Sequence, residues 1–390
     1  MTSRDIQRRY LVLVGLRWLP TGLLIPVIVL LMLDRGLSLG QIGLAAAAQG
    51  VMILLLELPT GGLADAIGRR NVLLIASAFE LLSVALMTVA ESLAAFAVVW
   101  ALQGVYRALQ SGPLDAWYVD AAQQVDPEAN IERGLAHAGV VVGGSIATGT
   151  LLASGLVALD PLPRVAALVT PLLVALAFRV IELAAIWKLM VEEDRPHRVG
   201  IVASARDVPR VIRSGIDTVR GSRVLKVLMT IEALWGFGLT AFELLTPAKL
   251  ESVLDSIDTA AGLAGPMSTA GWVMSAAGSA LVPTLTRRVG AATSGCWLLA
   301  AQAVFVVGMA LATGPIGVVI AYVLTMSTHG AVNPVHQGLL HRAVTEPGLR
   351  ATVLSTNSLA AMAGGTVGGI ALGAIADATS LTTAIILGAG

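Results

Sequence analysis

The sequence predicts an all-α membrane protein of twelve helices, arranged as two six-helix bundles. Three observations predict this. Of 390 residues, 56% are hydrophobic and only 13% are charged, with a mean hydropathy of +0.82. A water-soluble domain carries roughly twice that charged fraction, so the surface must face lipid. Apolar stretches of membrane-crossing length recur along the chain, and one long polar segment divides them six and six.

The start, Met1 to Arg9, is short and basic and leads directly into apolar Leu11–Leu33. No small-residue cleavage site follows, so a retained first span is expected rather than a cleaved signal. A helix needs about 20 apolar residues to cross the hydrocarbon. On that basis the first half has spans at 10–33, 41–60, 72–90, 93–113, 133–158 and 163–188. The second half has spans at 225–246, 263–285, 292–313, 315–335 and 351–376. A twelfth begins near Leu381 and stops at Gly390. Ten residues rise about 15 Å as a helix, half a bilayer, so this last helix is expected to be short or clipped.

The polar segment sets the domain organisation: an N-terminal bundle over 1–190, a cytoplasmic linker over 191–224 and a C-terminal bundle over 225–390. The linker holds Arg195, Arg198, Arg206, Arg210, Arg213, Arg220 and Arg223. Val208, Val211, Ile212, Ile216 and Val219 fall between them at helical spacing. This predicts an amphipathic helix at the headgroups, either a plain connector or a regulatory element.

Orientation follows from the cations. With the N-terminus inside, nineteen of the 25 Lys and Arg lie in the tail or cytoplasmic connections. Three lie outside (Arg35, Arg164, Lys249) and three within spans (Arg17, Arg107, Arg179). That bias predicts a multi-pass protein of the cell inner (plasma) membrane with a cytoplasmic N-terminus. Three lysines against twenty-two arginines, with abundant Ala, Gly and Val, suggest a GC-rich bacterial genome.

Composition also excludes. A net charge of zero supplies no basic field to gather nucleic acid. The single cysteine, Cys296, rules out an intrachain disulfide and a cysteine metal cluster. No lysine follows a glycine, so there is no Gly-x-x-x-x-Gly-Lys phosphate loop. His-Glu-x-x-His and Gly-x-Ser-x-Gly are absent too. An ATP-driven pump, a membrane enzyme and a metal or organic cofactor are therefore not expected.

The connection after the second span reads Gly61-Gly-Leu-Ala-Asp65-Ala-Ile-Gly68-Arg69-Arg70. Gly61 and Gly68 allow a very short turn between antiparallel helices. Asp65 can accept hydrogen bonds from a neighbouring helix N-terminus, while Arg69 and Arg70 hold the cytoplasmic side. This resembles the signature loop of the major facilitator superfamily, Gly-x-x-x-Asp-x-x-Gly-Arg-Lys/Arg, in the same place along the chain. Ala66 departs from the basic residue that many members carry. The equivalent second-half loop keeps Gly290 but has Arg287 where the acid should be.

The resemblance implies two bundles related by a pseudo-two-fold axis around a central cavity that opens alternately to each side. It also implies a monomer. Arg107-Ala-Leu-Gln110-Ser-Gly112 in the fourth span looks like the family's Arg-x-x-Gln-Gly element with Ser111 inserted. It gives Arg107 either a role in proton movement or an ion pair with Asp115 or Asp120. In the fifth span Gly139 and Gly143 match the leading glycines of a drug–proton antiporter element, but Gly144 replaces its proline. Small residues four apart let membrane helices approach closely. They recur as Gly43/Ala47 and Ala46/Gly50, Gly139/Gly143, Gly271/Ser275/Ser279, and Gly365/Gly369/Gly373. The family fold would place these four helices between the bundles.

Ionisable residues inside spans are costly unless paired or wet. Arg17, Arg107, Asp115, Glu232, Glu243, His329 and His336 concentrate in spans one, four, seven and ten, which line the cavity in this family. Arg17 and Glu232 lie at similar depth in corresponding helices and are expected to face each other across the cytoplasmic half of the cavity. The alternative pairs each within its own bundle, Arg17 with Glu57 or Glu80. Arg179 and Glu182, three apart on one helix face, are expected to neutralise each other as a structural pair. Trp18, Trp235 and Trp272 either stack on a planar or cationic substrate or fill the core.

The reading this supports is export of a small amphipathic or hydrophobic compound by proton antiport through alternating access. Asp115, Glu232 and Glu80 are the proton-carrying candidates, with Arg107 tuning them. Arg17, Glu243, Trp18, Trp235 and His329 are the cavity and gate candidates. The alternatives are proton-coupled or facilitated uptake in the same fold, and a polytopic receptor or scaffold that does not transport.

Overall fold

The computed structural model describes residues 2–192, 213, 215, 217–344 and 349–390. Most of the expected amphipathic linker helix lies outside the described residues, as do the side chains of Glu57, Gly61 and Asp65.

The first half is built from α1 (Ser3–Leu24), α2 (Ile28–Asp34), α3 (Leu39–Ile67), α4 (Arg69–Val89), α5 (Leu93–Gln110), α6 (Pro113–Val125), α7 (Ile131–Leu159) and α8 (Thr170–Leu189). The second comprises α9 (Arg223–Glu243), α10 (Leu245–Leu254), α11 (Ile257–Val289), α12 (Ala291–Leu311), α13 (Pro315–Ala343), α14 (Arg350–Ala378) and α15 (Leu381–Ala389). Among the described residues, ten helical stretches are long and apolar enough to cross a membrane. The remaining two of the twelve are α11, long but rich in Gly, Ser and Thr, and α15, with nine residues.

Helix starts are written locally. Thr2 with Asp5 and Ser38 with Gln41 form reciprocal caps at α1 and α3. Ser92, Asn130, Ser222, Ser256 and Ser380 each accept a backbone N–H three residues on. Gly68 and Gly290, at φ +89° and +82°, join α3 to α4 and α11 to α12 in a conformation that L side chains rarely adopt.

Helices α3, α11 and α13 run beyond the spans expected from hydropathy. Hydropathy marks the stretch that needs lipid, whereas the hydrogen-bonded helix continues into its capped polar ends. The fourth span continues past residue 113 as α6: Gly112, left-handed at φ +92°, breaks the helix and Pro113 restarts it.

Packing repeats between halves. Helix α1 packs on α7 as α9 does on α14, α3 on α5 as α11 on α13, and α4 on α8 as α12 on α15. The halves meet along α3–α14 and α7–α11, a pair of contacts that the pseudo-two-fold exchanges. At the first crossing Gly43 lies against the Gly369 carbonyl and Gly373 against Leu39 and Gly40, leaving no room for a Cβ. At the second the Gly265 N–H donates to Ser154 Oγ at 2.8 Å, and Thr150 and Thr269 share a hydrogen bond of 2.9 Å.

Three packing expectations are corrected here. A Cβ at Gly139 or Gly143 would meet nothing within 4 Å, so these two positions of α7 touch no partner. Gly365 faces the Gly236 carbonyl of its own half, while Gly271, Ser275 and Ser279 pack on Tyr322, Met326 and Gly330 of α13. The reason is that the halves touch at one end only. One apolar core joins Leu23, Val27 and Leu30 to Phe242, Leu245, Ala260 and Leu372 at the end opposite the N-terminus. At the N-terminal end the cores are separate, around Tyr10, Leu13, Leu73 and Trp117 in one half and Leu225, Leu228, Leu340 and Val353 in the other. The protein is closed at one end and parted at the other.

Candidate functional site

The charged residues within the helices fall into three groups. The first lies inside the first half and centres on Arg179 of α8, which is fully buried. Its guanidinium donates to Glu182 at 2.7 Å, Glu80 of α4 at 3.1 Å and Tyr106 of α5 at 3.1 Å. It also reaches the Arg17 carbonyl at 3.0 Å and Thr21 Oγ1 at 2.9 Å, both on α1. The i,i+3 pair read from sequence is therefore one edge of a network that binds four helices. Glu80, expected as a proton carrier or an Arg17 partner, belongs to Arg179 instead. The Arg17 guanidinium lies against the Trp18 ring, 5.3 Å from its centroid.

The second group bridges the halves. Arg107 of α5 and Glu243 of α9 are both exposed, and Glu243 lies within reach of the Arg107 charge although the two make no direct ion pair. Tyr322 of α13 lies within reach of the Glu243 charge and close to Ser268. Glu243 ends α9 where the shared core begins, so this pair stands at the apex of the cleft between the halves. Arg107 pairs with neither expected acid. Asp115 accepts from Tyr10 at 2.7 Å, and Asp120 pairs with Arg69 at 2.7 Å. The break at Gly112 separates Arg107 from both acids by placing them on a different helix.

The third group runs along the seam of α9 and α13. Tyr322, His329 and His336 recur every seven residues, so they share one face of α13. Glu232 Oε2 and His336 Nε2 are 3.1 Å apart, and Asn357 Oδ1 of α14 lies 2.9 Å from the same nitrogen. Between this pair and Glu243, Trp235 stacks on His329 at 5.1 Å, and Phe242 meets His329 edge-on at 5.4 Å. Trp235 Nε1 and His329 Nδ1 are buried without hydrogen-bond partners. Arg17 and Glu232 do not meet in this conformation.

The signature loop works through a partner that sequence reasoning missed. Glu192, beyond α8, accepts the backbone N–H groups of Arg69 and Arg70, each at 3.1 Å. Its carboxylate thereby caps the N-terminus of α4. Arg70 donates to the Trp187 carbonyl at 2.6 Å. The signal available was an acid, Glu192, just after a span and on the same side as the loop. Among the described residues no group of three or more His, Cys, Asp or Glu is placed to hold a metal ion.

Comparison with known proteins agrees with this architecture. Residues 10–369 match the family model of the Major Facilitator Superfamily. No curated protein sequence matches the chain. Among solved structures, the nucleoside transporter NupG is similar at 14% identity and TM-score 0.79, covering 99% of this chain and 96% of that one. A bacterial homolog of the human lysosomal transporter Spinster, inward-facing and unoccupied, is similar at 14% identity and TM-score 0.76, with 99% and 92% covered. A bacterial homologue of the iron transporter ferroportin, inward-facing, follows at 16% identity and TM-score 0.73, with 100% and 98% covered. With its signature loop, its doubled six-helix pattern and a family match over nearly its whole length, the chain belongs to the major facilitator superfamily of membrane transporters.

Proposed function

We propose that the protein exports a small amphipathic or hydrophobic compound in exchange for protons, by alternating access. The observation that carries this reading is the placement of Arg107 and Glu243. They come from different halves, stand at the apex of the cleft and remain accessible. Desolvation favours a neutral carboxylate and a nearby guanidinium favours a charged one, so relative movement of the halves changes proton affinity at such a pair. A lipophilic cation or weak base entering from the parted end competes with the proton for Glu243. The sparse aromatics, 4% of residues, leave walls that are mainly aliphatic and suit such a solute.

The distribution of Lys and Arg supports a parted end that faces the cytoplasm of a plasma membrane, as export requires at the loading step. The Arg17–Glu232 pair belongs to the opposite state, in which this end closes. Uptake of a small solute in the same fold is the alternative, and the likeness to a nucleoside transporter stands behind it.

Everted vesicles with an acid interior reported by a quenched dye decide between them. Lipophilic cations, weak bases and tetracycline-like compounds are added in turn, with Arg107→Ala and Glu243→Gln as controls. Dye recovery with the natural protein and neither variant supports proton-coupled export. Absence of recovery with every compound, together with uptake of labelled nucleosides or other nutrients into whole cells, overturns it.

A further inference from the structure

We propose that Glu232, His336 and Asn357 form a proton-binding site in the second half, with Asn357 as the residue that positions the other two. The proposal rests on the proton-coupled reading above and assigns where a coupling proton is held. Three helices supply the site, α9, α13 and α14, and His336 and Asn357 are both buried. Glu232 keeps partial access, its side chain 14% exposed. The site therefore combines a titratable pair with a route to solution.

Its hydrogen bonding determines where the proton moves. His336 Nε2 faces two oxygens, Glu232 Oε2 at 3.1 Å and Asn357 Oδ1 at 2.9 Å, so this nitrogen carries hydrogen. Asn357 also lies beside Glu232, so the three side chains meet. With Nε2–H held in place, the second proton of the pair enters and leaves at Nδ1. Carboxylate with imidazolium is neutral overall, and carboxylate with neutral imidazole carries one negative charge. In an apolar seam that difference is costly, so the site exchanges one proton as its access to water changes.

The surrounding charges fit this assignment. From α13 the charged group acting on Glu232 is His336, from α14 the polar partner is Asn357, and no arginine or lysine bears on Glu232 among the described residues. The Arg179 network differs in each respect. Its carboxylates are closed off from water and committed to a permanent cation, which suits bracing.

Ring-labelled histidine NMR of the full-length chain in nanodiscs tests the site without requiring a transported substrate. The chain has five histidines, and the His336 signal is the one lost in His336→Gln. The expected result is a His336 ring whose titration midpoint moves in Glu232→Gln and moves by less in Asn357→Ala. A His336 ring that does not titrate, or that titrates identically in Glu232→Gln, overturns the proposal. The two readings fail separately. Dye recovery beside a silent His336 sinks this site and leaves proton exchange standing, whereas a titrating, Glu232-dependent His336 without dye recovery supports the site and sinks the export reading.

Discussion

Ser38 and Asp377 join the two halves at their closed end, the serine hydroxyl donating to the aspartate carboxylate at 2.6 Å. The Gly40 N–H donates to the same oxygen at 2.9 Å, so Asp377 of α14 caps the N-terminus of α3. This contact has to break for the closed end to open. Asp377→Asn is therefore expected to shift the population towards the state open at that end. A hydrogen bond to a partly exposed charge is worth about 1 kcal/mol, roughly a fivefold change. Spin-label distances across the closed end measure it, after the exposed native Cys296 has been replaced by serine. An unchanged distance distribution shows that the clasp does not hold the state.

Gly139 and Gly143 are vacant positions in this conformation. Bulky side chains there are expected to leave folding untouched and to arrest the cycle when the parted end tries to close. Gly143→Leu should keep the natural melting temperature within about 2 °C, since surface substitutions change stability by roughly 0.5 kcal/mol or less. Transport should fall at least tenfold. Full activity in Gly143→Leu means that α7 never meets the other half along this face.

Removing the Arg179 side chain strands Glu80 and Glu182 in a dry interior. Breaking a buried ion pair from one side costs about 3–5 kcal/mol, so Arg179→Ala should express poorly or melt far below the natural protein. Arg179→Lys should rescue little, because one ammonium cannot reach the five oxygens that the planar guanidinium meets. Thermal stability in detergent reads both, and a rescued lysine variant contradicts the bracing role.

The Arg17–Glu232 pair, parted here, is tested by charge exchange. Arg17→Glu and Glu232→Arg should each hinder closure of the parted end, read as spin-label distances across it, and the double variant should regain part of that closure if the residues meet there. A double variant no better than either single one removes the pair from the cycle.

Much of the fold was legible because a bilayer imposes a simple rule on composition. The apolar runs, the basic loops and Gly61 to Arg70 were enough to identify twelve helices and the family. The Arg179–Glu182 edge was legible because i,i+3 neighbours share a helix face. Its links to Glu80, Tyr106 and Thr21 were not, since they arise only when four helices converge. Asn357 gave no signal at all, being an ordinary polar residue until α14 brings it to His336. Gly139 and Gly143 show a different limit. Spacing states which surfaces can pack, whereas a protein with two conformations packs them in only one.

The crossing of α3 and α14 has a mechanical consequence. Close contact runs from Leu39 to Gly50, where Gly50 lies against Thr366, and about 25 Å of α3 extends beyond it to Ile67. The glycine contact is thus a fulcrum set near one tip of a long lever. A tilt too small to disturb the backbones at Gly43 and Gly369 sweeps the signature loop through several ångströms. Gearing of this kind allows a small change at a single side chain to swing an entire half of the molecule.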